Sequence, residues 1–81
     1  MVHKLKIHPQ YFNDVALGLK KVEIRLNDRN YQENDRLILQ EYNPETKKYT
    51  GETLVRVVKF IISDCPGLMP NYVALQIEKP L

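Results

Sequence analysis

The sequence predicts a mainly β (α+β) domain: a small barrel of five or six strands with one short helix after the first strand. Three observations predict it. Polar–apolar alternation, the two-residue period of a half-buried strand, recurs at His3–Ile7, Lys21–Leu26, around Leu37 and Leu39, and at Tyr72–Ile77. Only Phe12, Val15, Ala16 and Leu19 carry the i, i+3, i+4, i+7 spacing of a helix with one buried side. A long segment, Thr50–Ile62, changes phase. Val55 and Val57 share one face and Val58, Phe60 and Ile62 the other, which predicts the bulge or bend of a curved sheet. A sheet that curls toward closure buries these faces with the fewest exposed edges.

Each element has a local cause. In the first strand His3, Leu5 and Ile7 share the inward face, and Lys4 and Lys6 the other. Pro9 suits the first helical turn, where a missing N–H costs nothing. Gly18 is placed to end the helix in the left-handed conformation, after about ten residues. In the second strand the apolar trio Val22, Ile24 and Leu26 is expected in the core, and Lys21, Glu23 and Arg25 on the polar face. Asn27–Asn30 and Asn34–Asp35 read as turns, and Asn43–Thr46 as a hairpin tip. Asp64–Gly67 breaks the long strand. In the last strand Val73, Leu75 and Ile77 point inward.

Composition bounds the function. The 81 residues make one domain, 1–81. A chain of this length buries only about 60–65% of its unfolded surface, so every strand must feed the core. A charged fraction of 27% and a hydrophobic fraction of 43% exclude a disordered chain. The net charge of +2 is too weak to argue nucleic-acid binding, so only a local cluster can. Cys65 is the single cysteine, which excludes an internal disulfide and a cysteine zinc site and fits a reducing cytoplasm. No apolar run approaches the ~20 residues of a membrane span, and Met1–Ile7 lacks the apolar block of a leader. The expected location is the cytoplasm, away from membranes. Two histidines alone do not make a metal site, and no residue set points to a cofactor.

The chemistry concentrates in Gly18-Leu19-Lys20-Lys21-Val22-Glu23-Ile24-Arg25. Lys20 sits where helix gives way to strand, and Glu23 and Arg25 follow on one face. Arg25 offers a planar fork that matches phosphate or the acceptor edge of guanine. Lys20 offers a compact charge for phosphate. Glu23 can accept from a base amino group or a ribose hydroxyl, or hold the two cations in place. The bland alternative is an exposed Glu23–Arg25 pair worth ~0–1 kcal/mol. Arg29 lies just past the strand and either widens the basic rim or sits in a solvated turn. His3 lines the cleft or caps the core. Of the five tyrosines, Tyr72 is the one set to stack on a base, against the half-buried structural place that tyrosines of small β domains commonly take. His8 reads as a helix-start residue, Lys47-Lys48-Tyr49 as a solubilising tip, and Cys65 has no partner that would make it a nucleophile.

Gly18-x-Lys20-x-x-Glu23-x-Arg25 resembles the G-x-K-x-x-E-x-R signature of the ASCH domain family (activating signal cointegrator homology), whose fold is a PUA-like β-barrel. His3-x-Leu5-Lys6-Ile7, Tyr11-Phe12, Asn27-Asp28-Arg29, Asp35-x-Leu37-x-Leu39, Tyr49-Thr50-Gly51, Gly67-Leu68 and Tyr72-Val73 fit small bacterial and phage members. Asn34 stands where such members often carry glycine, and asparagine tolerates the positive φ that this turn requires.

The resemblance implies a cleft suited to RNA or modified nucleotides, and the residue chemistry above gives Lys20, Glu23, Arg25, Arg29, His3 and Tyr72 as the ligand-binding set. The expected function is a non-catalytic RNA- or nucleotide-binding module. An enzymatic alternative is an amidohydrolase on a modified nucleoside such as acetylcytidine, with Lys20 catalytic. Family enzymes of that kind carry threonine at the position of Glu23 and a further glutamate in a helical segment near the last strand. This chain passes from Ile62 to Tyr72 through a short loop. A third reading is a protein-interaction domain, for which Val55 and Val57 would form an exposed apolar patch. The sequence leaves the oligomeric state open.

Overall fold

The computed structural model describes residues 1–81 as β1 (Val2–Ile7), α1 (Pro9–Ala16), β2 (Val22–Leu26), β3 (Arg36–Asn43), β4 (Lys48–Ile62) and β5 (Tyr72–Glu78). The strands form one mixed sheet in the order β1-β3-β4-β5-β2. β1 runs parallel to β3, and every other pairing is antiparallel. The sheet curls into a half-barrel, mainly β, with its one short helix after β1. No helix is long and apolar enough to cross a membrane.

The local signals act as expected at the helix and the turns. His8 holds extended backbone ahead of Pro9, which occupies the first turn of α1. Gly18 adopts φ +78°, a conformation that costs glycine little, and its amide closes on the Val15 carbonyl at 3.1 Å. Asn34 takes φ +73°. The β3–β4 hairpin turns at Asn43, whose Oδ1 accepts the Glu45 amide at 2.9 Å. The helix ends at Ala16, two residues before Gly18, so Leu19 leaves the buried stripe and Ala16 is exposed too. Only Phe12 and Val15 pack inward from α1.

The core gathers Leu5 and Ile7 from β1, Leu37 and Leu39 from β3, Val58 from β4, and Val73, Leu75 and Ile77 from β5. Phe12, Val15 and Tyr31 close it. The expected phase change in β4 is present but falls later than its apolar residues suggest. Val58 pairs with Ile77 and Phe60 with Gln76, so Lys59 is the extra residue of a bulge. The bulge leaves Val58 inward and turns Phe60 and Ile62 outward, where they are exposed. Ile61 takes the inward place opposite Leu75.

β2 reverses its expected faces. Val22, Ile24 and Leu26 are exposed, whereas Glu23 is 4% exposed and Arg25 is half-buried. The cause is the register with β5. Glu23 pairs with Leu75 and Arg25 with Val73, both core residues, and directly opposed side chains project to one face. A slip of one residue would exchange the two sets. The charged face of β2 therefore lines the interior of the half-barrel.

The edges of this open barrel are β1 and β2. Side chains, not a ladder, join them. Arg25 Nη2 donates to the Lys6 carbonyl at 2.7 Å, and Arg29 Nη1 to the Lys4 carbonyl at 2.8 Å. Lys4 and Lys6 are two residues apart, so their carbonyls lie on the same edge of the strand. Two guanidinium groups thus occupy acceptors that a further strand would otherwise use.

Candidate functional site

Glu23 anchors the site. Its Oε1 accepts from Lys20 Nζ, and its Oε2 accepts from Arg25 Nε at 3.0 Å. Lys20 Nζ also donates to the Val22 carbonyl at 2.6 Å. The carboxylate is nearly sealed, with 5% of its side chain exposed, while Lys20 and Arg25 keep 27% and 24% of theirs in solvent. A buried acid thus holds two cations whose other faces remain accessible. Because both oxygens are engaged, Glu23 acts as the positioning group of this cluster.

The three side chains converge on a cleft of about 490 Å³ between the β1–α1 turn and β2. Lys6, His8 and Tyr11 form its other wall. The His8 and Tyr11 rings lie nearly parallel, 17° apart, with centroids separated by 6.5 Å. Lys20 Nζ sits 5.8 Å from the Tyr11 ring centroid, and Lys6 Nζ 4.5 Å from that of Tyr42. The polar wall offers cationic donors, and the aromatic wall offers a flat face.

The remaining sequence candidates are placed elsewhere. Arg29 borders a smaller hollow of about 120 Å³ with Arg25, Asp28 and Tyr31. Burial pushes the Tyr31 hydroxyl up from its ordinary value, against the pull of Arg25 and Arg29. His3 faces inward as expected but does not reach the cleft. Its Nε2 lies 2.8 Å from Asp35 Oδ2, and its ring meets Tyr31 edge-on at 4.9 Å. Tyr72 pairs with Leu26 at the far end of β2 and is not among the cleft's walls. His8, Tyr11 and Lys6 are the lining residues that sequence reasoning passed over. The signal for Tyr11 was its helical position, one residue before Phe12, which turns it off the buried stripe toward the corner.

The family comparison bears on the whole of this architecture. Residues 2–77 match the model of a family described as a domain of unknown function (DUF3850). The chain belongs to this family. A curated relative, an uncharacterized 12.9 kDa protein in the GpA 3' region of Escherichia phage P2, is 46% identical over 41 residues. That match spans 51% of this chain and 38% of the relative's length. The DUF3850 match runs from the first residue of β1 through Ile77 of β5, and so contains every residue of the cleft.

Proposed function

We propose that this domain is a non-catalytic, cytoplasmic RNA- or nucleotide-binding module of the ASCH type, and that the cleft at the helix-to-strand corner receives the nucleotide. The observation that carries this reading is the convergence of Lys20 and Arg25 on the buried Glu23, opposite the Tyr11 ring. Lys6, Lys20 and Arg25 line the cleft, with Glu23 as its one carboxylate. Such a site can hold a base against a ring while cations take phosphate or the base's acceptor edge. The exposed, unpaired Cys65 accords with a reducing compartment.

Tyr11→Ala tests the site without touching the fold, because the residue is 45% exposed. Fluorescence titration with a short single-stranded RNA at low salt should show about tenfold weaker binding by the variant, the ~1–3 kcal/mol worth of one stacked base. The wild-type salt slope should be about −2, as two or three phosphate contacts give on single strands. Equal affinities for variant and wild type would remove the cleft from the interface. Release of cytidine from acetylcytidine, lost in Lys20→Ala, would make the module an enzyme instead.

The outer face of the sheet favours a second reading, a protein-interaction surface. Register places Ile62, Ala74 and Ile24 in one row, and Phe60, Gln76 and Val22 in the next. The exposed parts of Val22, Ile24, Leu26, Phe60 and Ile62 amount to roughly 400 Å², within the range of functional patches. Val55 is only at the margin of exposure, so the patch lies on β2 and β4 beyond the bulge and not where Val55 and Val57 would put it. Two copies placed face to face would together bury about 800 Å² of apolar surface before any polar rim is added, enough to begin a standard interface. Sedimentation should then show a concentration-dependent dimer that Ile24→Lys abolishes. A monomer at 100-fold dilution and at high concentration alike would exclude self-association through this face.

A further inference from the structure

A second hollow, of about 450 Å³, shares Lys20 with the first. It lies between the end of α1 and the end of β5, and Gly18, Lys20, Lys21, Arg56, Glu78 and Lys79 border it. Four cations and one carboxylate meet there, in a chain whose total charge is +2. Lys21, Lys79 and Arg56 take part in no ion pair, and neither does Glu78.

Arg56 is the unusual member. It projects from β4 opposite the core residue Leu37, and it is 8% exposed. Its Nη1 donates to the Val55 carbonyl at 2.8 Å, and its Nη2 to the Val15 carbonyl, at the end of α1, at 3.3 Å. A guanidinium carries five N–H donors, so most remain for another acceptor. Its Nε has no acceptor in the protein, yet no buried side-chain nitrogen is left unpartnered, so Nε is not sealed from solvent, and Arg56 lines the hollow. A buried cation without a carboxylate is costly to hold. The partial charge of the helix terminus offsets part of that cost. A bound anion would offset the remainder.

We propose that this second hollow is a phosphoryl-binding site, filled by a phosphate of the same nucleotide whose base and sugar occupy the first cleft. The proposal rests on the nucleotide reading of that cleft, and Lys20, bordering both, bridges the two halves of the ligand. It assigns the protein a phosphorylated ligand, a nucleotide or a strand, in preference to a free nucleoside. Arg56 supplies a fixed fork from within, and Lys21 and Lys79 supply mobile charges from the rim.

The test compares cytidine, cytidine 5'-monophosphate and inorganic pyrophosphate by isothermal titration and by NMR, on the wild type and on Lys21→Gln/Lys79→Gln. Both lysines are exposed, so the double variant folds. The monophosphate should bind the wild type about tenfold more tightly than cytidine, the strength of one charge-assisted contact, and shift the Gly18 amide and the Arg56 Nε–H. In the double variant that ratio should fall to about three, the part that Arg56 and Lys20 still supply, with cytidine affinity unchanged. A ratio near one in the wild type, or a gain undiminished in the double variant, overturns the proposal. Pyrophosphate that shifts Gly18 while the monophosphate gains nothing makes the hollow a free-polyanion site and overturns the bridging ligand. Cytidine that leaves the amides of Glu23 and Ile24 unmoved, beside a monophosphate that binds no better than pyrophosphate, removes the base from the first cleft and leaves only the anion site.

Discussion

Glu23→Ala is expected to lower the unfolding free energy by about 3 kcal/mol at pH 7, measured by urea denaturation. The alanine removes the acceptor of two cations at once, Lys20 Nζ and Arg25 Nε. Breaking a fully buried ion pair by deleting one partner costs ~3–5 kcal/mol, because the other charge is stranded. Here roughly a quarter of each cation's side chain is in solvent, which places the cost toward the lower end. Glu23→Gln keeps a neutral acceptor and should recover part of the loss. The substitution also brings two like charges into one corner without their shared acid, so added phosphate should stabilise the variant more than the wild type. An alanine variant as stable as the wild type would mean that the cluster contributes nothing to the fold.

The second large effect is on acid stability. Asp35 is 5% exposed, and three donors reach its carboxylate: His3 Nε2 at 2.8 Å, the Gln32 amide at 3.0 Å and the N-terminal ammonium at 3.0 Å. Burial pushes the carboxyl up, but the His3 bond, the Gln32 amide and the ammonium outweigh it, and the group is held down at about 2 from its ordinary 3.8. A carboxyl depressed in the folded state stabilises it above its unfolded value, and that contribution is lost as pH falls from about 4 to about 2. The shift corresponds to about 2 kcal/mol. Asp35→Asn should therefore lose about that much stability at neutral pH and show a flatter stability profile between pH 4 and pH 2. Urea midpoints at half-unit pH steps check it. Parallel profiles for the two proteins would assign the acid sensitivity to other carboxylates.

The parts of this molecule that were legible from its residues are those fixed by neighbours in the chain. Pro9 sets where the helix starts, Gly18 where the chain turns, and Asn34 supplies a positive φ. The meeting of Lys20, Glu23 and Arg25 is also local, since it needs only the end of a helix and the two-residue alternation of the strand that follows. What was not legible depends on contacts distant in sequence. Alternation in β2 shows that there are two faces but not which one is inside. That choice is made by pairing with Val73 and Leu75, about fifty residues away. His3 faces the interior as its alternation requires, yet its partner Asp35 is 32 residues on, so the buried pair had no signal near His3. Phe60 and Ile62 look like core residues, and one added residue at Lys59 turns them out. β4 pairs with β3 up to Val57 and with β5 from Val57 onward, and the bulge lies just past that changeover.

Arg25 serves two masters. The guanidinium that faces the cleft is also one of the two that fasten β2 to β1 through the Lys6 carbonyl. A phosphate or base edge that claims its Nη2 must compete with that fastening, leaving Arg29 on Lys4 as the remaining tie. Occupancy of the pocket and closure of the barrel's seam would then be reciprocal: the tighter the guest draws on the arginine, the looser the wall beside it becomes. Because no ladder of main-chain bonds spans that seam, the wall can part there without unzipping a strand.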